Sequence, residues 1–462
     1  MNLCCIFDVL SVFRQLKTAR NATNIRQSVI LFINMINHKN YFVNFTLFAL
    51  ILFTTVLTTA AQTVKTAAPR QEKLLNGLKV LLWSEPAEKV TVKLRVHSGA
   101  AFDMQNKEGT MALLADALFP NDSVREFFRE DLGGSLEVVS NYDYIQINAT
   151  GNADQILAIL ETISAAVTRP AIDKEITAKV RAARLERVRE LEKNSAYVAD
   201  LAVANRLFGT FPYGRSAEGT VESLSKIDFA DLLAAKQRFL TADNATLAVG
   251  GNIKSDYVFK AARQLFGGWE KADKRIPATF AEPNAPDTKF FLIKTEINNA
   301  SELRFAFRGA ARRGADFHHT QILTGVLQNR LRKKEGDKVS LRQTSYFLPG
   351  LVTLKFSDWN SSSLKLAGQD VSLPGNFLNY VEDLLLANIT EEEFQTAKTD
   401  FLKSLNGRDA IDSWLDANSF GLTSVKTDEQ NARNATIADV QKVLERWRKE
   451  AVVRTLLIKV AA

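Results

Sequence analysis

Two stretches of the chain repeat one pattern, and that repeat limits the fold more than any other feature. In Val92-Lys93-Leu94-Arg95-Val96-His97-Ser98-Gly99-Ala100-Ala101 the alternating apolar residues describe a half-buried strand that runs into a Gly-Ala turn, and a helix from Met111 to Phe119 follows. Leu303-Arg304-Phe305-Ala306-Phe307-Arg308-Gly309-Ala310-Ala311 does the same ahead of a helix from Thr320 to Leu331. The ends of the halves match too. A helix from Ala230 to Phe239 precedes a strand at Ala245 to Gly250, and one from Ala438 to Trp447 precedes a strand at Val452 to Val460. The chain therefore carries two copies of one plan.

Each half begins with strands, holds helices in its middle and ends helix–strand. Strands and helices that do not alternate singly predict α+β layers rather than a doubly wound parallel sheet. Lys174 to Phe208 has few breakers and an apolar stripe (Val180, Leu185, Val188, Leu191, Leu201, Leu207), which predicts that this long segment is helical. Gly267 to Asp287, with Pro277, Pro283 and Pro286, reads as the connection between halves. At 462 residues the chain exceeds one ordinary core. The expected division is a leader over 1–61, an N-terminal domain over 62–270, a linker over 271–287 and a C-terminal domain over 288–462.

The net charge of +7 is partly a property of the leader: five basic residues against Asp8 give +4 within 1–61, leaving +3 for the rest. A balanced surface without a basic stripe gives no support for nucleic acid as a partner. Cys4 and Cys5 are the only cysteines, so the remainder can form neither a disulfide nor a thiolate metal site. Tyr41 to Leu57 is strongly apolar, follows His38 and Lys39, and leads into Thr58-Thr59-Ala60-Ala61-Gln62. That order describes a secretory signal peptide cleaved near Ala61, with Met35 as an alternative start. The other reading is an uncleaved anchor, since the run approaches the roughly 20 residues that span a bilayer. Either way the folded part is expected outside the cytoplasm, periplasmic or secreted.

Six fragments, in order, resemble the insulinase/pitrilysin-type zinc metallopeptidases (inverzincins, in their two-domain bacterial form). They are Leu75-Asn76-Gly77-Leu78-Lys79-Val80; Gly109 to Phe119; Leu132-Gly133-Gly134 with the strand through Val138 to Asn141; Thr168-Arg169-Pro170; Leu207 to Arg215, containing Pro212-Tyr213-Gly214-Arg215; and Val249-Gly250-Gly251-Asn252-Ile253. The resemblance covers about residues 73–462. It implies two homologous two-layer α/β sandwich domains, with mixed and largely antiparallel sheets packed by helices, forming a half-clamshell.

The family's motif helix carries His-x-x-Glu-His. Here those positions fall on Ala112, Ala115 and Asp116. A catalytic zinc needs three protein ligands and a carboxylate base for its water, and two alanines offer neither. Counting back from Gly214-Arg215 puts the family's third ligand, a Glu, at Arg187, whose guanidinium is placed to pair with Asp116; other registers give Glu186 or Glu190. His97 lies near a strand end, and His318-His319 opens a helix where a surface or capping role is expected. In the second half, Asn329 to Val339 resembles the family's substrate-side Arg/Tyr segment. Arg332 stands for the Arg, Val339 replaces the Tyr, and Tyr346 is the nearest substitute.

The resemblance without the motif implies a non-catalytic relative with no cofactor of its own. It would be the inert subunit beside a zinc-bearing paralogue, giving chamber wall and peptide binding along Val138, Val139 and Ser140 with Arg332. A self-paired pseudopeptidase and an active peptidase with atypical ligands are the alternatives. The membrane enters only through an uncleaved leader.

Overall fold

A computed structural model of the chain describes residues 68–272, 280–298, 300–357 and 375–459, with Trp359 and the pieces 365–367 and 370–372 between them. The leader readings, Met35 and Ala61 included, and Pro277 lie outside the described residues. Residues 66–462 form one compact unit.

The chain enters as a hairpin of β1 (Arg70–Lys73) and β2 (Lys79–Ser84), turned at Gly77 with φ of 95°. A side chain there would meet Asp243 Cβ at 2.6 Å, so only glycine fits. Then come β3 (Lys89–Val96), α1 (Thr110–Leu118), α2 (Asp122–Glu130), β4 (Ser135–Ser140), β5 (Ile145–Asn152) and α3 (Ile156–Thr168). Helices α4 (Lys174–Glu192), α5 (Ser195–Phe208), α6 (Val221–Ser225) and α7 (Phe229–Phe239) lead to β6 (Ala245–Gly251) and α8 (Ser255–Phe266). The second half runs β7 (Phe290–Thr295), β8 (Ser301–Arg308), α9 (Phe317–Glu335), β9 (Val339–Thr344), β10 (Leu351–Ser357) and the small hairpin β11 (Lys365–Ala367) and β12 (Asp370–Ser372). It ends with α10 (Gly375–Leu378), α11 (Tyr380–Leu386), α12 (Glu391–Asn406), α13 (Ala410–Phe420), α14 (Thr427–Asn434), α15 (Ile437–Trp447) and β13 (Val453–Lys459).

The first sheet is ordered β1-β2-β6-β3-β5-β4 and the second β7-β13-β8-β10-β9. Apart from β1 they are the same sheet. The pairs β2/β6 and β7/β13 are parallel, and every other neighbour in the two sheets is antiparallel. The correspondence reaches single residues: Arg95 stands across from Gln146 and Thr246, as Arg304 stands across from Lys355 and Thr455. The mixed, largely antiparallel α+β architecture is therefore as the sequence implies.

Each central strand presents its alternate residues to its own helices. Val90, Val92, Leu94 and Val96 of β3 enter the first core, and Leu303, Phe305 and Phe307 of β8 enter the second. The opposite faces mix buried charges with apolar residues such as Leu81, Trp83 and Ala248 or Ala306, Val453 and Leu457, and each is covered by a helix from the other half. Helix α13 lies on the first sheet: Lys93 Nζ meets Asp412 at 2.7 Å and Asp409 at 3.1 Å, and Arg95 Nη1 meets Asp416 at 2.7 Å. Helix α5 lies on β8 and β13, where Asp200 accepts from Arg304 Nε at 2.7 Å. Arg95 and Arg304 are each 1% exposed, and so deep a cation is tolerated only when paired.

The segment Lys174 to Phe208 is helical, as expected, and is divided into two helices. The Asn194 side chain accepts from Tyr197 N at 3.1 Å and caps α5, freeing it to cross to the second sheet while α4 stays against α1.

Candidate functional site

Helix α1 begins after Gly109, whose φ of 93° and whose neighbours Leu224 and Gly219, 2.8 and 2.9 Å from where a Cβ would sit, leave no room for a side chain. The buried Asp103 carboxylate accepts from Gly109 N at 2.7 Å and Met111 N at 2.9 Å, satisfying first-turn donors that would otherwise be orphaned. Burial pushes its carboxyl up to about 7, although these bonds and Arg215 pull the other way. Arg215 Nη1 donates to Asp103 O at 2.9 Å and stands 3.6 Å from Glu108. The Pro-Tyr-Gly-Arg run thus braces the start of the motif helix.

The motif positions follow on α1. Ala112 and Ala115 are buried, at 1% and 3% exposure, and carry no side-chain lone pair. Asp116 faces α4 and is held there by Arg184, whose Nε and Nη2 donate to the two carboxylate oxygens at 2.8 and 2.6 Å. The same guanidinium reaches Ala112 O at 3.3 Å and pairs through Nη1 with Glu218. Burial pushes the Asp116 carboxyl up while Arg184 opposes the shift. A bidentate pair of this kind is directional and strong.

Zinc does not fit these residues. Two of the motif positions are alanine, both oxygens of the third are engaged, and the cation they face would repel a dication. Among the described residues no group of three or more His, Cys, Asp or Glu is arranged to hold a metal.

The cation in the site is Arg184 and not Arg187. Arg187 lies one turn on, its side chain 62% exposed and its Nε 3.6 Å from Glu218. The expected pairing of Arg187 with Asp116 is not made; Arg184, three residues earlier, makes it. Glu186 and Glu190 pair with Arg189 and Lys193 on the exposed side of α4 and do not reach the site.

Other candidates are placed as follows. Val138, Val139 and Ser140 are half-buried on β4, the edge strand of the first sheet. Arg332 is exposed in the last turn of α9, 3.4 Å from Asp337. Val339 is buried at the start of β9, and Tyr346 follows that strand's other end, about 20 Å away at roughly 3.3 Å per residue. Arg332 and Tyr346 therefore do not form a pair. Tyr346 instead packs on Tyr213 and Tyr142, with ring centroids 4.4 and 5.0 Å apart, at the seam between halves.

His318 is not a surface or capping residue. It is 4% exposed, and its Nε2 lies 2.8 Å from Asp428, which also pairs with Arg312 and Arg408. The hydrogen bond with His318 and the Arg312 guanidinium hold the Asp428 carboxyl down at about 2 although burial pushes it up. His97 Nδ1 and Nε2 lie 2.9 Å from Ser419 and Thr246, which makes it part of the contact with α13.

A two-half sheet-and-helix scaffold with an emptied motif helix defines a metallopeptidase fold without its metal motif. The chain belongs to the insulinase family of peptidases (family M16): the family's model matches residues 79–221, and that of the M16 inactive domain matches 226–401. An uncharacterized zinc protease of Rickettsia bellii is 22% identical over 358 residues, 72% of this chain and 82% of that protein. The non-peptidase homolog YmxG of Helicobacter pylori is 24% identical over 180 residues, 37% of this chain and 40% of that one. The crystal structure of a peptidase M16 inactive domain from Pseudomonas fluorescens shares the fold, with a TM-score of 0.70 at 18% identity, over 85% of this chain and 98% of its own.

Proposed function

We propose that this protein is the non-catalytic subunit of an extracytoplasmic peptidase pair, with zinc held only by a motif-bearing paralogue. The observation that carries the reading is the bidentate Arg184–Asp116 pair, because it sets a protein cation against the one motif position that retains a coordinating group.

Its contribution would be chamber wall and peptide binding. The edge strand β4 offers unpaired backbone groups along Val138, Val139 and Ser140 for an added peptide strand. Arg332 is an exposed cation for acidic or C-terminal carboxylate groups. The order of basic, apolar and small residues in the leader supports export. One observation favours the second reading, a self-paired pseudopeptidase: with Val339 buried and Tyr346 packed into the seam, the residues for assisting a partner's chemistry are not assembled.

The test is an affinity pull-down of the tagged protein from its native envelope fraction, with co-purifying proteins identified by mass spectrometry. A relative with an intact His-x-x-Glu-His motif, in about equal amount, is the expected result. Recovery of this chain alone sinks the heterodimer.

A further inference from the structure

Beyond the C-terminal end of β3 lies a cavity of about 460 Å³, within the range of small-molecule sites. The second half bounds it with the loop after β9 and the end of α13. Neither the motif positions nor Arg184 line it. Its walls are aromatic, built by Phe102, Tyr142, Phe239, Phe280, Phe347 and Phe420. Phe102 stands beside Phe239 and Phe280, with ring centroids 5.0 and 5.6 Å away.

The polar groups in these walls are left incomplete. Asp143 accepts one hydrogen bond on each carboxylate oxygen, from the Tyr213 hydroxyl at 3.2 Å and from Phe347 N at 3.0 Å. Lone pairs remain on both oxygens, and among the described residues Asp143 has no ion pair. Arg95, whose charge reaches it, is bonded to Gln146 and Asp416. Asp243 also lines the cavity; it accepts from Ala272 N at 3.0 Å and has no ion pair among the described residues. The guanidinium in the lining, Arg238, is exposed and stacks 5.0 Å over the Phe239 ring. The Thr241 hydroxyl faces a different shortfall. Its residue is 2% exposed, and Oγ1 has no hydrogen-bond partner among the described residues. A buried hydroxyl left so is uncommon.

We propose that this cavity binds a small organic ammonium ion with an aromatic body, its charge on the Asp143 carboxylate and a hydroxyl on its ring meeting Thr241. The lining selects that class. Ring faces attract cations, and an anionic ligand would meet two carboxylates. A neutral apolar ligand would leave the Asp143 charge buried without a counter-ion. The proposal does not depend on whether the family site is catalytic.

Calorimetric titration of the full-length protein at about pH 8 tests it, with tyramine, p-ethylphenol and p-hydroxyphenylacetate as probes that share a phenol and differ in charge. At that pH the Asp143 carboxyl, pushed up to about 6, is ionised. Tyramine should bind one-to-one, and the neutral and anionic probes about tenfold more weakly or worse. Asp143→Asn keeps an acceptor for Phe347 N and should weaken tyramine about tenfold while leaving p-ethylphenol unchanged. Thr241→Val should weaken both by a similar factor. A single cooperative thermal transition shows that each variant is folded. No saturable binding of tyramine overturns the proposal, as does equal affinity for the three probes or indifference to Asp143→Asn. Lys274 and Arg275 lie between Ala272 and Phe280, outside the described residues. Tyramine binding gained only in K274A/R275A also overturns the proposal, and gives Asp143 to a cation of the chain itself.

Discussion

Asp143 shows how much of this molecule rests on single side chains. Its carboxylate accepts from Phe347 N at 3.0 Å and from the Tyr213 hydroxyl at 3.2 Å, while that hydroxyl accepts from Leu348 N at 3.1 Å. One acid in the first half thus holds a loop of the second. Burial pushes its carboxyl up to about 6. Because the folded value lies above the unfolded one, this group's stabilising contribution is complete below about pH 4 and is lost as pH rises through about 6. Asp143→Asn keeps an acceptor and removes the titration. The variant should gain on wild type by up to about 3 kcal/mol between pH 4 and pH 7 in paired denaturant melts; a constant difference across that range contradicts the assignment. At this scale the sequence was uneven. Ala112, Ala115 and Asp116 were legible because a helix fixes their spacing. Arg184 was missed because counting from a distant anchor does not show which face of α4 meets Asp116. It did leave a signal: Thr177, Val180, Arg184 and Val188 are the buried residues of α4, so an arginine occupies a place in an apolar stripe.

Among the elements, the break between α4 and α5 matters most for the architecture. The Asn194 cap lets α5 leave its own half and cover β8 and β13. Asn194→Ala should cost about 1 kcal/mol in chemical denaturation; a cost near zero would mean that packing alone sets the break. The strand at Val92 to Val96 and the helices before β6 and β13 were legible from periodicity, which depends only on near neighbours. The break was not, since α4 and α5 both continue the same helical spacing and a polar cap is a weak local mark. Strand order and the burial of His318 were also hidden, because both depend on partners far along the chain: Asp428 lies 110 positions from His318.

For the whole molecule the reciprocal covering of the sheets has a thermodynamic consequence. Neither half presents a finished surface alone, because Arg95 needs Asp416 and Arg304 needs Asp200. Parting the halves would take Asp416 and Asp412 from Arg95 and leave it without a carboxylate partner, while Arg304 would keep only Glu302 of its own half. Scanning calorimetry of residues 66–462 should therefore give one transition with equal calorimetric and van't Hoff enthalpies; two resolved transitions would mean that the halves fold independently. The duplicated plan was visible in sequence, but the exchange of α5 and α13 was not, since lysine, arginine and aspartate on these elements read simply as solvated faces.

The central claim is that Arg184 and Asp116 have closed the metal site, and a calorimetric titration of zinc into residues 66–462 at neutral pH tests it most directly. No saturable binding is expected, either for the wild type or for a variant with Ala112→His, Ala115→Glu and Asp116→His that keeps Arg184, because a guanidinium beside the motif positions, paired also with Glu218, repels a dication. Saturable one-to-one binding by the wild type, abolished by Asp116→Asn, would contradict the account.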